Sequence, residues 1–252
     1  MTMVAGPKHV GNQNSGFGPI DAFRSMVDSF LGRSLLGIER IGAMAKLTLL
    51  LLVSTTAIPS FSQRAALQSV IRAELNVTDG SIETWNGHLL VNVPEMRAVL
   101  GTATPQLIEV HFTYLGPTEK ASKLGNGEMR RQFGLKLKAQ DPCNLLYVMW
   151  RTEPKANLAV SMKLNPGMQS SSQCRDGGYH SLKATKSGRL PELQPGSWHI
   201  HRAEINQQEL QVSIDHEPMW EGTIPTEAMS FHGPVGLRSD NVRVLFDAQV
   251  RR

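Results

Sequence analysis

The stretch Glu209-Leu-Gln-Val-Ser-Ile-Asp places an apolar side chain at every second position. This period is typical of a β-strand that is buried on one face and exposed on the other. The polar sequence Asn206-Gln-Gln precedes it and Asp215-His-Glu-Pro follows it, and both compositions are typical of turns. The last third of the chain, residues 197–250, is therefore predicted to form an antiparallel β-meander.

The same strand pattern recurs upstream of the meander. Asn86-Gly87 lies between two short strand-like segments and is a strong hairpin signal. The segment Arg131-Gln-Phe-Gly-Leu-Lys-Leu-Lys-Ala alternates between an apolar and a polar face. In contrast, Asn144-Leu-Leu-Tyr-Val-Met-Trp-Arg is apolar on both faces and is predicted to lie in the middle of a sheet. About a dozen short strands at this spacing predict a β-sandwich or a barrel.

Composition limits the classes of partner. The chain has 252 residues, with 26 basic and 22 acidic side chains. This nearly balanced charge, without a long basic run, disfavours nucleic acid as a partner. The 22 glycines and 14 prolines agree with a turn-rich β protein. The length suffices for one large all-β domain or two small ones.

The N-terminal quarter differs in composition from the rest. Residues 44–62 have a basic start, an apolar run from Leu47 to Val53, and small side chains at Ser60 and Ser62. This pattern predicts a secretory signal peptide that is cleaved before Gln63. The alternative is a membrane anchor, but the apolar run is far shorter than the roughly 20 residues that a spanning helix needs.

The predicted signal does not begin at Met1. We interpret residues 1–43 as an upstream extension of the reading frame, with translation starting at Met44; the alternative is a long, partly disordered basic leader. Residues 63–252 are then the exported domain, secreted or periplasmic, with no membrane partner after cleavage.

Cys143 and Cys174 are the two cysteines of the sequence. An oxidising compartment permits a disulfide between them. Closing a loop of about 30 residues would contribute roughly 3–4 kcal/mol to the free energy of unfolding. The alternative is two unpaired buried thiols, but the compartment and the even count favour the bridge.

The C-terminal strand sequences are specific enough to suggest a family. They read Trp198-His-Ile-His-Arg-Ala-Glu-Ile, Leu210-Gln-Val-Ser-Ile-Asp-His-Glu, Trp220-Glu-Gly, Gly233-Pro-Val-Gly-Leu-Arg-Ser and Val242-Arg-Val-Leu-Phe-Asp. This series resembles the closing strands of the concanavalin-A-like lectin/glucanase superfamily, except that His216 stands where the family usually has a turn glycine. The resemblance implies an all-β jelly-roll β-sandwich of two antiparallel sheets. It also implies carbohydrate as the ligand class, although lectins, glycosidases, lyases and adhesive modules share this scaffold.

The sequence shows no catalytic or metal-binding motif. A glycosidase on this scaffold needs paired carboxylates, typically as Glu-x-Asp-x-Glu, and the chain has no such run. His199 and His201 have the spacing at which two imidazoles approach one metal, but without a third ligand nearby we interpret them as exposed histidines. Trp198 and Trp220 are interpreted as core anchors. We therefore expect no catalytic residue, no metal and no cofactor.

The candidate ligand site is a polar sheet face. Its members carry side chains with hydrogen-bonding groups: Arg97, His111, Gln132, Lys136 and Lys138, joined by Tyr147 and Arg151. Such a face is suited to a glycan, particularly an acidic one, whereas the alternative is an ordinary solvated sheet face. The sequence thus favours an exported, non-catalytic carbohydrate-binding module. The alternative function is a glycoside hydrolase or polysaccharide lyase whose acid and base converge from separate strands.

Overall fold

A computed structural model describes residues 65–101 and 105–251. The predicted leader at 1–43, the predicted signal at 44–62 and the cleavage site before Gln63 lie outside the described residues. Within the two described ranges, no helix is both long enough and apolar enough to cross a membrane.

The described chain consists mainly of β-strands. In chain order they are β1 (Gln68–Val70), β2 (Leu75–Asp79), β3 (Glu83–Trp85), β4 (His88–Val91), β5 (Glu95–Leu100), β6 (Leu107–Pro117), β7 (Arg131–Asp141), β8 (Asn144–Glu153), β9 (Asn157–Lys163), β10 (Tyr179–Ser181), β11 (Lys186–Ser187), β12 (Trp198–Asn206), β13 (Glu209–Ile214), β14 (Glu217–Thr223), β15 (Gly236–Asp240) and β16 (Val242–Arg251). The short helices are a 3₁₀ turn (Arg72–Glu74), α1 (Ser171–Cys174) and α2 (Thr226–Met229).

These strands form two sheets. The nine-stranded sheet has the order β11-β14-β13-β12-β6-β16-β4-β3, with β1 also paired to β16. The seven-stranded sheet has the order β10-β9-β8-β7-β15-β5-β2. Every pairing is antiparallel, and the chain passes from one sheet to the other repeatedly. The predicted fold class, an all-β jelly-roll β-sandwich of two antiparallel sheets, is confirmed.

Aromatic side chains from both sheets form the centre of the core. Phe112 and Phe246 come from the nine-stranded sheet, and Phe133 and Trp150 from the seven-stranded one. The ring of Phe112 lies 5.1 Å from that of Phe133 and 5.8 Å from that of Trp150. Because every second residue of each strand points inward, the sandwich buries these rings and leaves the alternate positions for its outer faces.

Two local predictions are confirmed. Asn86 and Gly87 have φ angles of 50° and 84° and connect β3 to β4, as a tight hairpin turn with two left-handed residues requires. The C-terminal meander is also present, since β12 pairs with β13 and β13 with β14.

The burial of the tryptophans and histidines of β12 and β14 agrees only in part with the predictions. Trp220 is buried, as predicted, but Trp198 is 56% exposed and is not a core anchor. The interpretation of His199 and His201 as exposed histidines is wrong, because both are buried between the sheets against Trp150. They share one parity of β12 with small and apolar residues further along the strand, and this parity faces the core.

The predicted disulfide between Cys143 and Cys174 is present. It joins the start of β8 to α1, which lies in the long loop between β9 and β10. The bridge therefore ties that loop to the seven-stranded sheet.

Candidate ligand-binding groove

The outer face of the seven-stranded sheet carries an open groove. One part of it has a cavity volume of about 690 Å³ and an adjoining part about 510 Å³. Residues that line both parts are Leu124, Tyr147, Asp176, Tyr179 and Arg238. These volumes fall in the range of small-ligand sites, and the two adjoining parts together offer space for an elongated ligand.

Two loops line the groove, residues 118–130 and residues 164–178. They meet at Gly125, where an added Cβ would lie only 2.2 Å from Asp176 Oδ2. The absence of a side chain at this position therefore permits the close approach of the two loops.

The second loop is held to the sheet by covalent and polar contacts. Besides the disulfide of Cys174, Lys163 Nζ donates a hydrogen bond to Arg175 O at 2.7 Å. Asn165 Nδ2 donates to Cys143 O and to Gly177 O, each at 3.1 Å. These contacts position the segment that brings Asp176 to the groove.

A buried carboxylate organises the floor. Asp240 ends β15, and its two oxygens accept hydrogen bonds from Arg97 Nη2 at 2.6 Å, from Arg238 Nε at 3.0 Å and from Gln132 Nε2. Burial by itself would raise the pKa of Asp240, but the two guanidinium groups outweigh burial and hold this pKa below its usual value. The carboxylate thus stays ionised and fixes the arginine side chains.

Two tyrosines pack over this floor. The guanidinium of Arg238 lies 5.0 Å from the ring centroid of Tyr147, and its Nη1 donates a hydrogen bond to Tyr179 Oη at 3.1 Å. The rings of Tyr147 and Tyr179 stack with centroids 5.9 Å apart. Burial raises the pKa of Tyr147 to about 12, so this phenol stays protonated at neutral pH. Tyr179 is 41% exposed and presents its ring to the groove.

Lys136 has an unusual position in the floor. It lies on β7 opposite Tyr147 of β8 and Gly236 of β15, and it is only 6% exposed. Its ammonium makes no hydrogen bond or ion pair with any residue in the described ranges. Burial is the main cause that lowers the pKa of Lys136 to about 7, and the positive charges of Arg97 and Arg238 lower it further.

Five of the seven sequence-predicted site residues line or face this groove. Arg97, Lys136 and Tyr147 line the larger part, while Gln132 and Arg151 line the smaller one. Arg151 Nε also donates a hydrogen bond to Gln132 Oε1 at 3.3 Å. Alternate side chains of β7 and β8 point to the same outer face, so most of the predicted polar residues lie together in the groove.

His111 and Lys138 lie elsewhere. His111 is on the outer face of the nine-stranded sheet, where its Nε2 lies 2.7 Å from Glu109 Oε1 and its ring meets Trp198 edge-on at 5.7 Å. Lys138 lies in an irregular part of β7 with a φ of 48°, and its Nζ donates to the carbonyl oxygens of Met229 and Phe231. Its side chain therefore contacts the segment around α2 and does not line the groove.

Sequence reasoning missed four residues that line the groove, namely Lys163, Asp176, Tyr179 and Arg238, and the buried Asp240 beneath them. A signal existed for two of them, because the stretch Gly236-Leu-Arg-Ser-Asp places Arg238 and Asp240 on the parity opposite to Leu237. No local signal marked Tyr179, because its role depends on the order of the strands in the sheet.

The described residues show no metal centre. In residues 65–101 and 105–251, no three His, Cys, Asp or Glu side chains form a group that could hold a metal ion. The groove offers guanidinium, ammonium, amide and phenol groups, which suit an anionic or hydroxyl-rich ligand. It is also lined by the carboxylates of Asp79, Glu95, Asp141 and Asp176.

Comparison with known proteins does not assign this chain to a family. No family model matches the chain, and no curated protein is significantly similar to it. Among solved structures, the carbohydrate-binding module CBM66 of Bacillus subtilis is similar at 9% identity and a TM-score of 0.47, over 69% of this chain and 91% of that one. A laminarinase from Flavobacterium sp. UMI-01 has 10% identity and a TM-score of 0.43, over 73% and 95%. The Caenorhabditis elegans galectin LEC-6 has 10% identity and a TM-score of 0.37, over 71% and 98%. At these values the similarity identifies neither a ligand nor an activity for this chain.

Proposed function

We propose that this chain is an exported carbohydrate-binding protein and that the groove of the seven-stranded sheet binds an acidic glycan. The observation that supports this proposal is Lys136, a buried amine that has no partner among the described residues and that lines the groove with Arg97 and Arg238. Arg97 and Arg238 influence Lys136 more than Asp79 and Asp240 do. The potential at its ammonium is therefore positive, and a carboxylate or sulfate placed there would be stabilised.

The rest of the groove suits a sugar. The ring of Tyr179 is partly exposed, stacks on Tyr147 and lies 5.2 Å from Lys163 Nζ, so it offers the groove some apolar surface with a polar tip. Arg151 supplies guanidinium donors within the same groove, and its Nε is held by Gln132 Oε1. Because these groups are held by ion pairs and hydrogen bonds before a ligand arrives, binding orders few additional side chains.

Export belongs to the same proposal. The predicted signal sequence and the disulfide of Cys143 and Cys174 both favour an oxidising, extracytoplasmic location. A secreted or periplasmic protein would meet polysaccharides there.

One observation favours the rival class, a carbohydrate-active enzyme. Tyr147 and Tyr179 come from different strands, stack on each other and line one groove with Lys136. Binding requires only the positive floor, whereas catalysis would require one of these groups to transfer a proton.

The experiment is a binding measurement with the full chain. Polygalacturonate and alginate are compared with the same polymers after chemical reduction of their carboxyl groups. We expect the acidic polymers to bind and the reduced ones to bind at least about 10-fold more weakly, since a hydrogen bond to a charged group is worth roughly 1.5–3 kcal/mol. The variant Lys136→Met should bind the acidic polymers more weakly than the wild type by a similar factor.

Lys138→Met is the matched control, because it removes the same side chain two positions along the same strand but outside the groove. Its affinity for the acidic polymers should stay within about 2-fold of the wild-type value. The same is expected of His111→Ala, which lies on the other sheet. Equal affinity for acidic and reduced polymers, or equal losses in the Lys136 and Lys138 variants, would contradict the proposal.

A further inference from the structure

The groove contains a candidate base. Lys136 is the buried amine with no hydrogen bond in the described chain, and its pKa of about 7 leaves a substantial fraction unprotonated near neutral pH. A general base acts best when its pKa lies near the working pH. Desolvation and cationic neighbours are the usual means by which a lysine is brought to that state.

The groove also contains a candidate acid. Tyr179 Oη accepts a hydrogen bond from Arg238, so its own proton is free to be donated toward the groove. The guanidinium would stabilise the phenolate that forms when the proton leaves. Arg238 packs on Tyr147 and is fixed by Asp240, so it is held in place before the reaction.

Positive charge lies next to the candidate base. Arg97 and Arg238 are direct cross-strand neighbours on β5 and β15, and both line the larger part of the groove with Lys136. Removal of a proton from the carbon next to a carboxylate places a second negative charge on that carboxyl group. Fixed cations at this position stabilise such a charge.

Hydrolysis would use the carboxyl groups that line the groove, namely those of Asp79, Glu95, Asp141 and Asp176, and not the amine and the phenol. It needs a carboxylic acid and a carboxylate on opposite sides of the glycosidic bond. Asp240, the buried carboxylate of the floor, already accepts hydrogen bonds on both oxygens and has a lowered pKa, so it is unsuited to donate a proton.

We infer that the groove catalyses β-elimination in a 4-linked uronate polymer, with Lys136 as the base and Tyr179 as the acid. The inference rests on the proposed binding of an acidic glycan in the same groove. Lys136 Nζ takes the C5 proton, and the electrons of the C5–H bond form the C4=C5 double bond. The C4–O bond breaks, and the leaving oxygen takes the Tyr179 proton. The products are a new reducing end and an unsaturated uronate, and no redox co-reactant is needed.

The test uses the full chain with polygalacturonate and alginate. Binding is measured by calorimetry, and turnover by the ultraviolet absorbance of the conjugated product together with new reducing ends. Lys136→Arg keeps the cation but cannot act as a base at neutral pH. We expect it to keep binding within about 3-fold and to lose about 100-fold or more in rate, the usual contribution of a general base. Tyr179→Phe should lose rate to a similar degree, and Lys138→Met should be unchanged.

A second measurement needs no variant. The wild-type rate should rise with pH through about 7 as Lys136 loses its proton, and a rate that is flat or falls there would overturn its role as base. Binding without unsaturated product would overturn elimination but leave the binding proposal standing. New reducing ends without a double bond would show hydrolysis and overturn the inference. Absence of binding to either polymer would overturn the inference and the proposed function together.

Discussion

His201 lies between the two sheets, close to Trp150, and is fully buried. Neither of its ring nitrogens has a hydrogen-bond partner among the described residues. Burial alone lowers the pKa of His201 from 6.5 to about 3. The unfolded chain therefore takes up a proton on this side chain well before the folded chain does, and stability falls as the pH drops from about 6.5 toward 3.

We expect His201→Leu to reduce this acid-side loss, because leucine fills a similar volume without a titrating group. Between pH 7.5 and pH 5 the wild type should lose about 2 kcal/mol of unfolding free energy through this residue. Denaturant titrations at both pH values measure the difference. The control is His180→Gln, a histidine substitution at an exposed position on β10. An equal pH-dependent loss in wild type and His201→Leu would contradict the prediction.

Asp240 is the second residue with a strong individual role. Asp240→Asn would leave the buried guanidinium groups of Arg97 and Arg238 without their shared counter-charge. We expect the free energy of unfolding to fall by about 3–5 kcal/mol. Asp247→Asn is the matched control, since it removes the partner of His88 in an exposed pair and should cost under about 1 kcal/mol. Urea unfolding of both variants checks this, and similar losses would argue against the buried network.

At the scale of the elements, alternation predicted β7 well up to Leu137. It placed Phe133, Leu135 and Leu137 in the core and Gln132 and Lys136 on the outer face. Beyond Leu137 the pairing with β8 shifts in register and Lys138 adopts a positive φ. A bulge of this kind changes which face the following side chains occupy, and a sequence pattern does not reveal it.

The disulfide acts on one element, the loop of residues 164–178. In the chain-entropy model, removing a bridge with a sequence separation of 31 costs roughly 3–4 kcal/mol. We expect the double variant Cys143→Ser and Cys174→Ser to lose about this amount in urea unfolding. It should also weaken acidic-glycan binding, because the freed loop carries Arg175, a cationic side chain that lines the groove. Unchanged affinity in the folded double variant would show that the loop takes no part in binding.

At the scale of the whole molecule, the sequence predicted five polar residues of the groove but not the contact between Tyr179 and Arg238. Arg97, Gln132, Lys136, Tyr147 and Arg151 follow from the parity of single strands. Tyr179 and Arg238 come from strands β10 and β15, which lie on opposite sides of β7 and β8 in the sheet order. Their contact depends on which strands become neighbours, and this order follows from long-range packing and not from local periodicity.

The whole-molecule prediction that remains is export. If residues 44–62 are a signal peptide, expression of the full sequence in a Gram-negative host should yield a periplasmic protein that begins at Gln63. Mass spectrometry of the intact protein checks this N-terminus and the oxidised state of Cys143 and Cys174. Changing Leu50 and Leu51 to Arg would interrupt the apolar run, so the protein should then stay uncleaved in the cytoplasm with both thiols reduced. Recovery of the uncleaved wild type in the membrane fraction would instead indicate an anchor. Either outcome fixes the compartment, and therefore the polysaccharides that the groove can meet.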